Sequence, residues 1–541
     1  MPSTAGNYRQ WLRPAFALLI LTLVYFYRLD QPLLWDDEAE TGVVARNVLH
    51  HGYPIAYDGR NVTFYDNGGG LNKNLVFKNI PWLQYYLGAL SLLIFGNNTL
   101  GLRILFVFCG VLCFFPIYAV LKSRLKYPAI LTVLTLISPQ VVLFQRSARY
   151  YPVLILLYAV LVWHLQRDFK GSRNHFLSAV LIFVLLFHTH SFAAVCSALA
   201  LVVFCLCFRR EVLASYFFAC AIGFASWLAW HQLLGPSLPA SSLPISFIAT
   251  QFRLWLDRVW AGPSKTILVM DAVGCLPILL WAALLAFLLL RSRDSLRNLF
   301  KERLYAFVFL NILIQTAAGS AVFGYSYLRY GPHLLVFGLV CLFMVLNTVI
   351  ANGSLCLFVS IFAVAFNFLT LSFWAKSPYI PVPVPASWLW PVYSEIARPR
   401  EDAWDLVVTR LESESQNAPD HDTVIMSLPP WIDEIEIFYL GDHYLIRPLL
   451  HKPVEDGMQA LHHVINEQAF NRLFGKPEWV LDFPNTLMSD YPGYELVAVI
   501  PSHQKTPVDG NRPELDDILN CHAFPESAVV SNVRLFRLRK K

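Results

Sequence analysis

Long apolar runs separated by short polar connections repeat along the first two thirds of this 541-residue chain. Most approach the roughly 20 residues that an α-helix needs to cross a hydrocarbon core. They fall at 14–28, 102–121, 127–144, 150–166, 175–189, 191–208, 212–233, 266–290, 304–323, 332–350 and 354–374, and predict about eleven membrane-spanning helices. The sequence FHTHS leaves 175–208 open between two short spans joined by a turn and one long span with a polar kink. The first run follows Arg9 and Arg13 as a signal peptide would, but no small-residue cleavage site comes after it, so it reads as an uncleaved span.

Two segments are too polar to cross. The first, residues 30–101, alternates acids, glycines and aromatics and contains IPWLQYYLGALSLLIF. That run is short for a span and rich in Trp and Tyr, which places it along the membrane interface. The second begins near residue 375 with the Pro-rich SPYIPVPVPASWLWP. Beyond it, short apolar runs (DTVIMSLP, HYLIRPL, PEWVLDFP, YELVAVIP, VRLFRLR) alternate with helical stretches such as EDAWDLVVTRLESES and MQALHHVINEQAFNRLF. Strand and helix in alternation predict a small α/β domain. The expected organisation is a transmembrane part over 1–374, with a large first external loop at 30–101, and an extracytoplasmic α/β domain over 375–541.

Composition agrees: 56% of residues are hydrophobic and 15% charged, with a mean hydropathy of +0.48, against about 25% charged in soluble proteins. A soluble enzyme is excluded. The net charge of +5 gives no reason to expect nucleic acid as a partner. The distribution of positive charge is more informative. Lys122, Arg124 and Lys126; Arg167, Lys170 and Arg173; Arg209 and Arg210; and Arg291, Arg293, Arg297, Lys301 and Arg303 occupy alternate connections. Positive connections face the cytoplasm, so the N-terminus is expected inside and the tail outside a cell (inner) membrane. Residues 30–101, 234–265 and YSYLRYGPH then share the outer face. Nine of ten cysteines lie in or beside apolar runs and Cys521 has no partner in its region, so no disulfide framework or zinc pair is expected.

Candidate chemistry begins just after the first span. In LWDDEAETGVVARNVLHHGYPIAYDG, Asp36, Asp37, Glu38 and Glu40 crowd four carboxylates into five positions. Acids this close repel, so at least one should have a raised pKa unless a cation lies among them. Val43, Val44, Asn47 and Val48 recur at helical spacing, which sets the acids at a helix N-terminus, where the dipole favours negative charge. Solvated helix-capping acids would look the same, and both readings stay open on these residues alone. His188 and His190 have metal-like spacing but lack a third ligand, and a helix end could satisfy them. His50 and His51 could orient a ligand or shape a turn. The acids of WIDEIEIFYLGD read as helix surface.

The pattern W-x-D-E, followed by an A-R-N helix, H-G-Y-P and D-G, resembles the first external loop of GT-C glycosyltransferases. The branch it resembles holds protein O-mannosyltransferases, the lipid A aminoarabinose transferase and transferases acting on lipopolysaccharide cores. KNIPWLQYYLGALSLLIFGNNTLGLRILFVFCGVL is similar to that branch's second motif, RSARYYPVLIL to its segment at the outer end of span four, and YLRYGPHLLVFG to a segment opening a late span.

This resemblance implies a polyprenyl-phosphate-linked sugar as donor and an acceptor hydroxyl on a glycan, lipid or protein, joined by inverting transfer at the outer face of the bilayer. Asp37 would be the general base, Glu38 its neighbour, and Asp36 an extra acid able to take either role. Many relatives carry a second acid near span four; here that segment reads RSARYYP, which counts against a metal site built from two loops. A divalent cation, Mg or Mn, stays open on the acid cluster. The leaving phosphate needs cations at the membrane surface: Arg149 and Arg329 at outer span ends, with Tyr150 and Tyr330 beside them, and Lys78, Arg60 and Arg103 of the first loop. Interfacial cations also serve as snorkelling anchors. A transporter or flippase is the rival class, but no pair of Gly/Pro-broken spans in matching halves points to one.

Overall fold

The computed structural model describes residues 5–63, 71–78, 80–167, 173–233, 278–291, 303–323, 331–365, 393, 396–397, 403–415, 423–428, 433–447, 463–474, 476–482, 492–502 and 531–539. Helices occupy each of the eleven apolar runs within these limits. They are α1 (Ala5–Phe26), α4 (Thr99–Leu112), α5 (Phe114–Lys122), α6 (Pro128–Leu136), α7 (Pro139–Gln145), α8 (Tyr150–Gln166), α9 (Arg173–Thr189), α10 (Ser191–Phe208), α11 (Leu213–Leu233), α12 (Ile278–Arg291), α13 (Arg303–Phe323), α14 (Pro332–Val349) and α15 (Gly353–Ala365). Among the described residues, Thr99–Lys122, Ser191–Phe208, Arg210–Leu233 and Pro332–Val349 are helical stretches long and apolar enough to cross a membrane. The loop at 234–265 lies outside the described residues.

One run expected as a single helix is broken, at a proline. The run 127–144 divides at Ser138, which is extended (φ −61°, ψ 148°) before Pro139; the proline disfavours helical geometry in the preceding residue and has no N–H to donate. The run 102–121 stays helical through Cys113 (φ −56°, ψ −26°), where α4 meets α5 three residues before Pro116. The ambiguous 175–208 resolves into two helices, because His190 leaves helical geometry and its Nδ1 accepts from the Ala193 N–H at 3.1 Å. A helix end therefore does satisfy this histidine.

The centre of the bundle is α8 and α14. From Pro332 to Leu346 every residue of α14 is buried, and α8 buries apolar side chains around most of its circumference. A helix that is apolar all round belongs at the centre of a bundle or within a bilayer. Around α8 pack α4, α5, α9 and α14, so the N-terminus of α8 is fixed in place from several sides.

The first loop carries α2 (Asp36–His51) and α3 (Leu83–Phe95), joined by a segment with isolated antiparallel bridges such as Ile55 to Val76. The acids do open a helix: Asp36, Asp37 and Glu38 form the first turn of α2. Its end is set by Gly52 at φ +81°, a left-handed position glycine adopts without a Cβ penalty, where its N–H returns to the Val48 carbonyl.

In the tail, each of the five apolar runs contributes a strand: β1 (Val424–Leu428), β2 (Leu445–Ile446), β3 (Trp479–Asp482), β4 (Tyr494–Ser502) and β5 (Ser531–Leu538). The sheet order is β2-β1-β3-β5-β4, parallel around β1 and antiparallel around β5. Helices α16 (Ala403–Ser415), α17 (Asp433–Leu440) and α18 (Glu467–Leu473) accompany it. WIDEIEIFYLGD departs from its expected surface role. Glu434 and Glu436 of α17 are buried, because α17 packs on α2 and Thr63 of the first loop donates to Glu434 Oε1 at 3.1 Å.

Candidate active site

The two faces of α2 receive its acids differently. Asp37, Glu40 and Thr41, spaced i, i+3 and i+4, share one face, while Glu38 points elsewhere. Glu38 is 1% exposed and pairs with Arg103, also buried, at 2.6 Å. Arg103, expected in the first loop, lies one turn into α4 instead. Its Nε and Nη2 fork onto Glu38, and its remaining N–H groups reach the carbonyls of Leu29, Pro32 and Leu33. All five guanidinium N–H groups thus have acceptors within the protein, as a buried cation requires.

Glu40, also 1% exposed, faces Arg149. Arg149 Nη1 and Nη2 reach the two Glu40 oxygens at 3.3 Å each, Nη1 also donates to Thr41 Oγ1 and the Asp37 carbonyl, and Nη2 lies 3.6 Å from Asp37 Oδ1. Tyr85 of α3 donates to Glu40 Oε1 at 2.5 Å. Burial raises the Glu40 carboxyl above its ordinary value, with Arg149 opposing the rise and the Asp37 charge adding to it. The acid expected to be raised in this cluster is therefore Glu40, which the sequence alone left without a role. Asp36 and Asp37 are half-buried, the more accessible pair of the four.

One tetrapeptide before α8 makes the counterpart. Arg146 donates to the carbonyls of Val24, Tyr25 and Arg28, closing the C-terminal end of α1. Trp35 Nε1 donates to Ser147 Oγ at 3.3 Å, the Ala148 N–H donates to Glu38 Oε1 at 2.5 Å, and Arg149 takes the Asp37–Glu40 face. RSAR is thus read residue by residue against the end of α1 and the start of α2. Arg149 Nε is buried and has no acceptor among the described residues. Tyr150, the first residue of α8, has its ring 4.7 Å from that of His190.

The tail closes the back of this unit. Tyr439 Oη accepts from the Leu34 N–H at 2.8 Å and lies 2.7 Å from Thr99 Oγ1. Arg46 donates to the carbonyls of Ile437 and Phe438 with its guanidinium 5.1 Å from the Phe438 ring centre. Phe438 is so close to α2 that a Cβ on Gly42 would fall 2.4 Å from its ring. Asn61, 1% exposed, donates to Gly441 and Tyr444 carbonyls and accepts from the Ile446 N–H.

No family model matches the chain, and no curated protein does. Among solved structures, it aligns with ArnT from Cupriavidus metallidurans in the apo state, at 12% identity and a TM-score of 0.48 over 98% of each chain. ArnT bound to undecaprenyl phosphate aligns at 14% identity and a TM-score of 0.45, over 99% of this chain and 98% of that one. The archaeal oligosaccharyltransferase AglB from Archaeoglobus fulgidus, in complex with an inhibitory peptide and a dolichol-phosphate, aligns at 12% identity and 0.45, over 89% and 70%.

Of the residues singled out from sequence, the structure brings Asp37, Glu38, Arg103, Arg149 and Tyr150 to one region at the junction of α1, α2, α4 and α8, with Asp36 beside them. Arg60 instead reaches the Asp442 carbonyl at 3.3 Å, in the contact between first loop and tail. Lys78 is buried in the loop segment before α3. Arg329 and Tyr330 lie outside the described residues. As for a divalent cation, Arg103 sits on Glu38 and Arg149 on Glu40 and Asp37, so guanidinium groups already hold the places beside three of the four acids. Among the described residues no three His, Cys, Asp or Glu side chains group as metal ligands. The two buried acids, Glu38 and Glu40, are engaged by arginine, and Asp36 and Asp37 are the partly accessible carboxylates of the cluster.

Proposed function

We propose that this chain is a membrane glycosyltransferase that moves a sugar from a polyprenyl-phosphate donor to an acceptor hydroxyl on a glycolipid, lipopolysaccharide or protein, at the extracytoplasmic face and with inversion. One observation carries the reading: Asp37 stands half-buried at the helix start with its carboxylate beside Arg149, while Glu38 and Glu40 behind it are buried against arginines. Solvated helix-capping acids would not need two buried guanidinium groups, one from α4 and one from the segment before α8.

In the proposed reaction the acceptor oxygen attacks the anomeric carbon, the carbon–oxygen bond to phosphate breaks, and the electron pair leaves with the lipid phosphate. The acceptor proton passes to the Asp37 carboxylate, which needs hydrogen-bond reach to it. Arg149 is a positioning residue: its fork on Glu40 fixes where Asp37 points. Glu38 and Arg103 act further back, tying α2 to α4 and to the end of α1. Asp36 is the alternative proton acceptor. Negative charge on the leaving phosphate would meet Lys78 and, from the segment YLRYGP, Arg329 and Tyr330.

The test uses purified protein in detergent with a panel of undecaprenyl-phosphate-linked hexoses and pentoses, scoring release of free undecaprenyl phosphate in the presence of acceptor lipid. Asp37→Asn should lower turnover by about 100-fold or more, the usual size of a lost general base. Transfer that survives this exchange while Asp36→Asn abolishes it would move the base by one residue. Transfer that survives both would remove the acid cluster from the chemistry.

A further inference from the structure

Away from the acid site, α1, α5, α6 and α15 meet around a groove of about 1090 Å³. None of those elements carries Asp36, Asp37, Glu38, Glu40 or Arg149. Arg13 on its rim precedes the end of α1 by 13 residues, about 20 Å of helix. The groove is larger than the roughly 300–1,000 Å³ of ordinary small-molecule sites. Its walls are apolar, formed by residues such as Ala17, Ile20, Val133, Leu134 and Ile361.

Its rim is basic. Arg13 from α1, Lys122 from the end of α5 and Lys126 from the following turn all line it and are exposed, and no Asp or Glu is among the described lining residues. Lys126 is held in place: its stem lies against Gly353, where an added Cβ would meet its Cδ at 2.5 Å, and its Nζ sits 5.6 Å from the Tyr127 ring centre. Tyr127 in turn is 3.4 Å from Ser354 Oγ of α15. Three cations from separate elements thus ring one end of an apolar slot. Basic pockets between membrane helices are suited to anionic lipid headgroups, and apolar walls to acyl chains.

We propose that this groove binds one anionic diacyl phospholipid of the surrounding bilayer, with its phosphate among Arg13, Lys122 and Lys126 and its acyl chains along α1 and α6. The bound lipid would fill the space between α6 and α15 and so join the helices at this end of the bundle.

Native mass spectrometry of the full chain in detergent tests this, with equimolar phosphatidylglycerol and phosphatidylcholine of matched chains. Wild-type protein should retain one phosphatidylglycerol in preference. The pair Lys122→Gln and Lys126→Gln should lower that preference by about 25-fold, roughly fivefold per cation. The pair Arg173→Gln and Arg210→Gln, basic residues outside the groove, should leave it unchanged. Equal retention of both lipids by wild type would overturn the proposal, as would equal loss in the two variant pairs. Displacement of phosphatidylglycerol by equimolar farnesyl phosphate would assign the groove to a single prenyl chain instead and overturn the diacyl assignment.

Discussion

Arg149 reaches both carboxylate oxygens of Glu40 at 3.3 Å, across 109 residues of sequence, while the same guanidinium lies 3.6 Å from Asp37. One cation thereby sets the spacing of two acids on one helix face. A lysine there would keep the charge but lose the planar fork. Arg149→Lys should leave the protein folded and lower transfer by about 100-fold, the scale of a reacting group displaced by about 1 Å. Turnover with saturating donor, set beside thermal unfolding in the same detergent, separates lost positioning from lost stability.

Glu38 and Arg103 form the other pair, and both are buried. Removing one partner leaves a desolvated charge, which costs about 3–5 kcal/mol. Glu38→Gln should therefore lower the unfolding temperature markedly, and adding Arg103→Met should restore part of the loss. Additive losses in that double-mutant cycle would mean that the pair is not coupled.

The pH dependence of stability should carry a mark from Glu40. Its carboxyl is raised above 4.5 in the folded chain, chiefly by burial. The folded state then holds this proton more tightly than the unfolded chain does. The resulting stabilisation is fully present below pH 4.5 and is lost as pH rises through the raised folded value. Glu40→Gln, which cannot ionise, should unfold with a flatter pH profile over that window. The measurement is the wild-type minus variant difference in unfolding temperature from pH 4 upward, and a constant difference would contradict the assignment.

Tyr439 tests the seat of the tail. Tyr439→Phe leaves the buried Leu34 N–H without its acceptor and removes the contact to Thr99, at a cost of about 1–3 kcal/mol. The expected result is a lower unfolding temperature than wild type, read by thermal denaturation in the same detergent.

Much of this arrangement is legible in the chain and some is not. The helices in the eleven runs follow from apolar length, and the five tail strands from short β-rich runs between turns. Helical spacing alone already separates Glu38 from Asp37 and Glu40. Which arginine faces which acid is not legible, because Arg103 and Arg149 lie 65 and 109 residues from their partners. Nor is the break at Ser138 marked in hydropathy, although Pro139 signals it sterically. The acids of α17 read as surface because nothing local shows that Thr63 and α2 will cover them.

The clasp formed by Phe438, Tyr439 and the carbonyls that Arg46 grips also orders events at the ribosome. The acidic helix emerges within the first tenth of the chain, yet the surface that covers it comes almost 400 residues later. At about 5–20 residues per second that is roughly 20–80 s. Through that interval Gly42 lacks its contact with Phe438 and the Leu34 N–H lacks Tyr439 as acceptor.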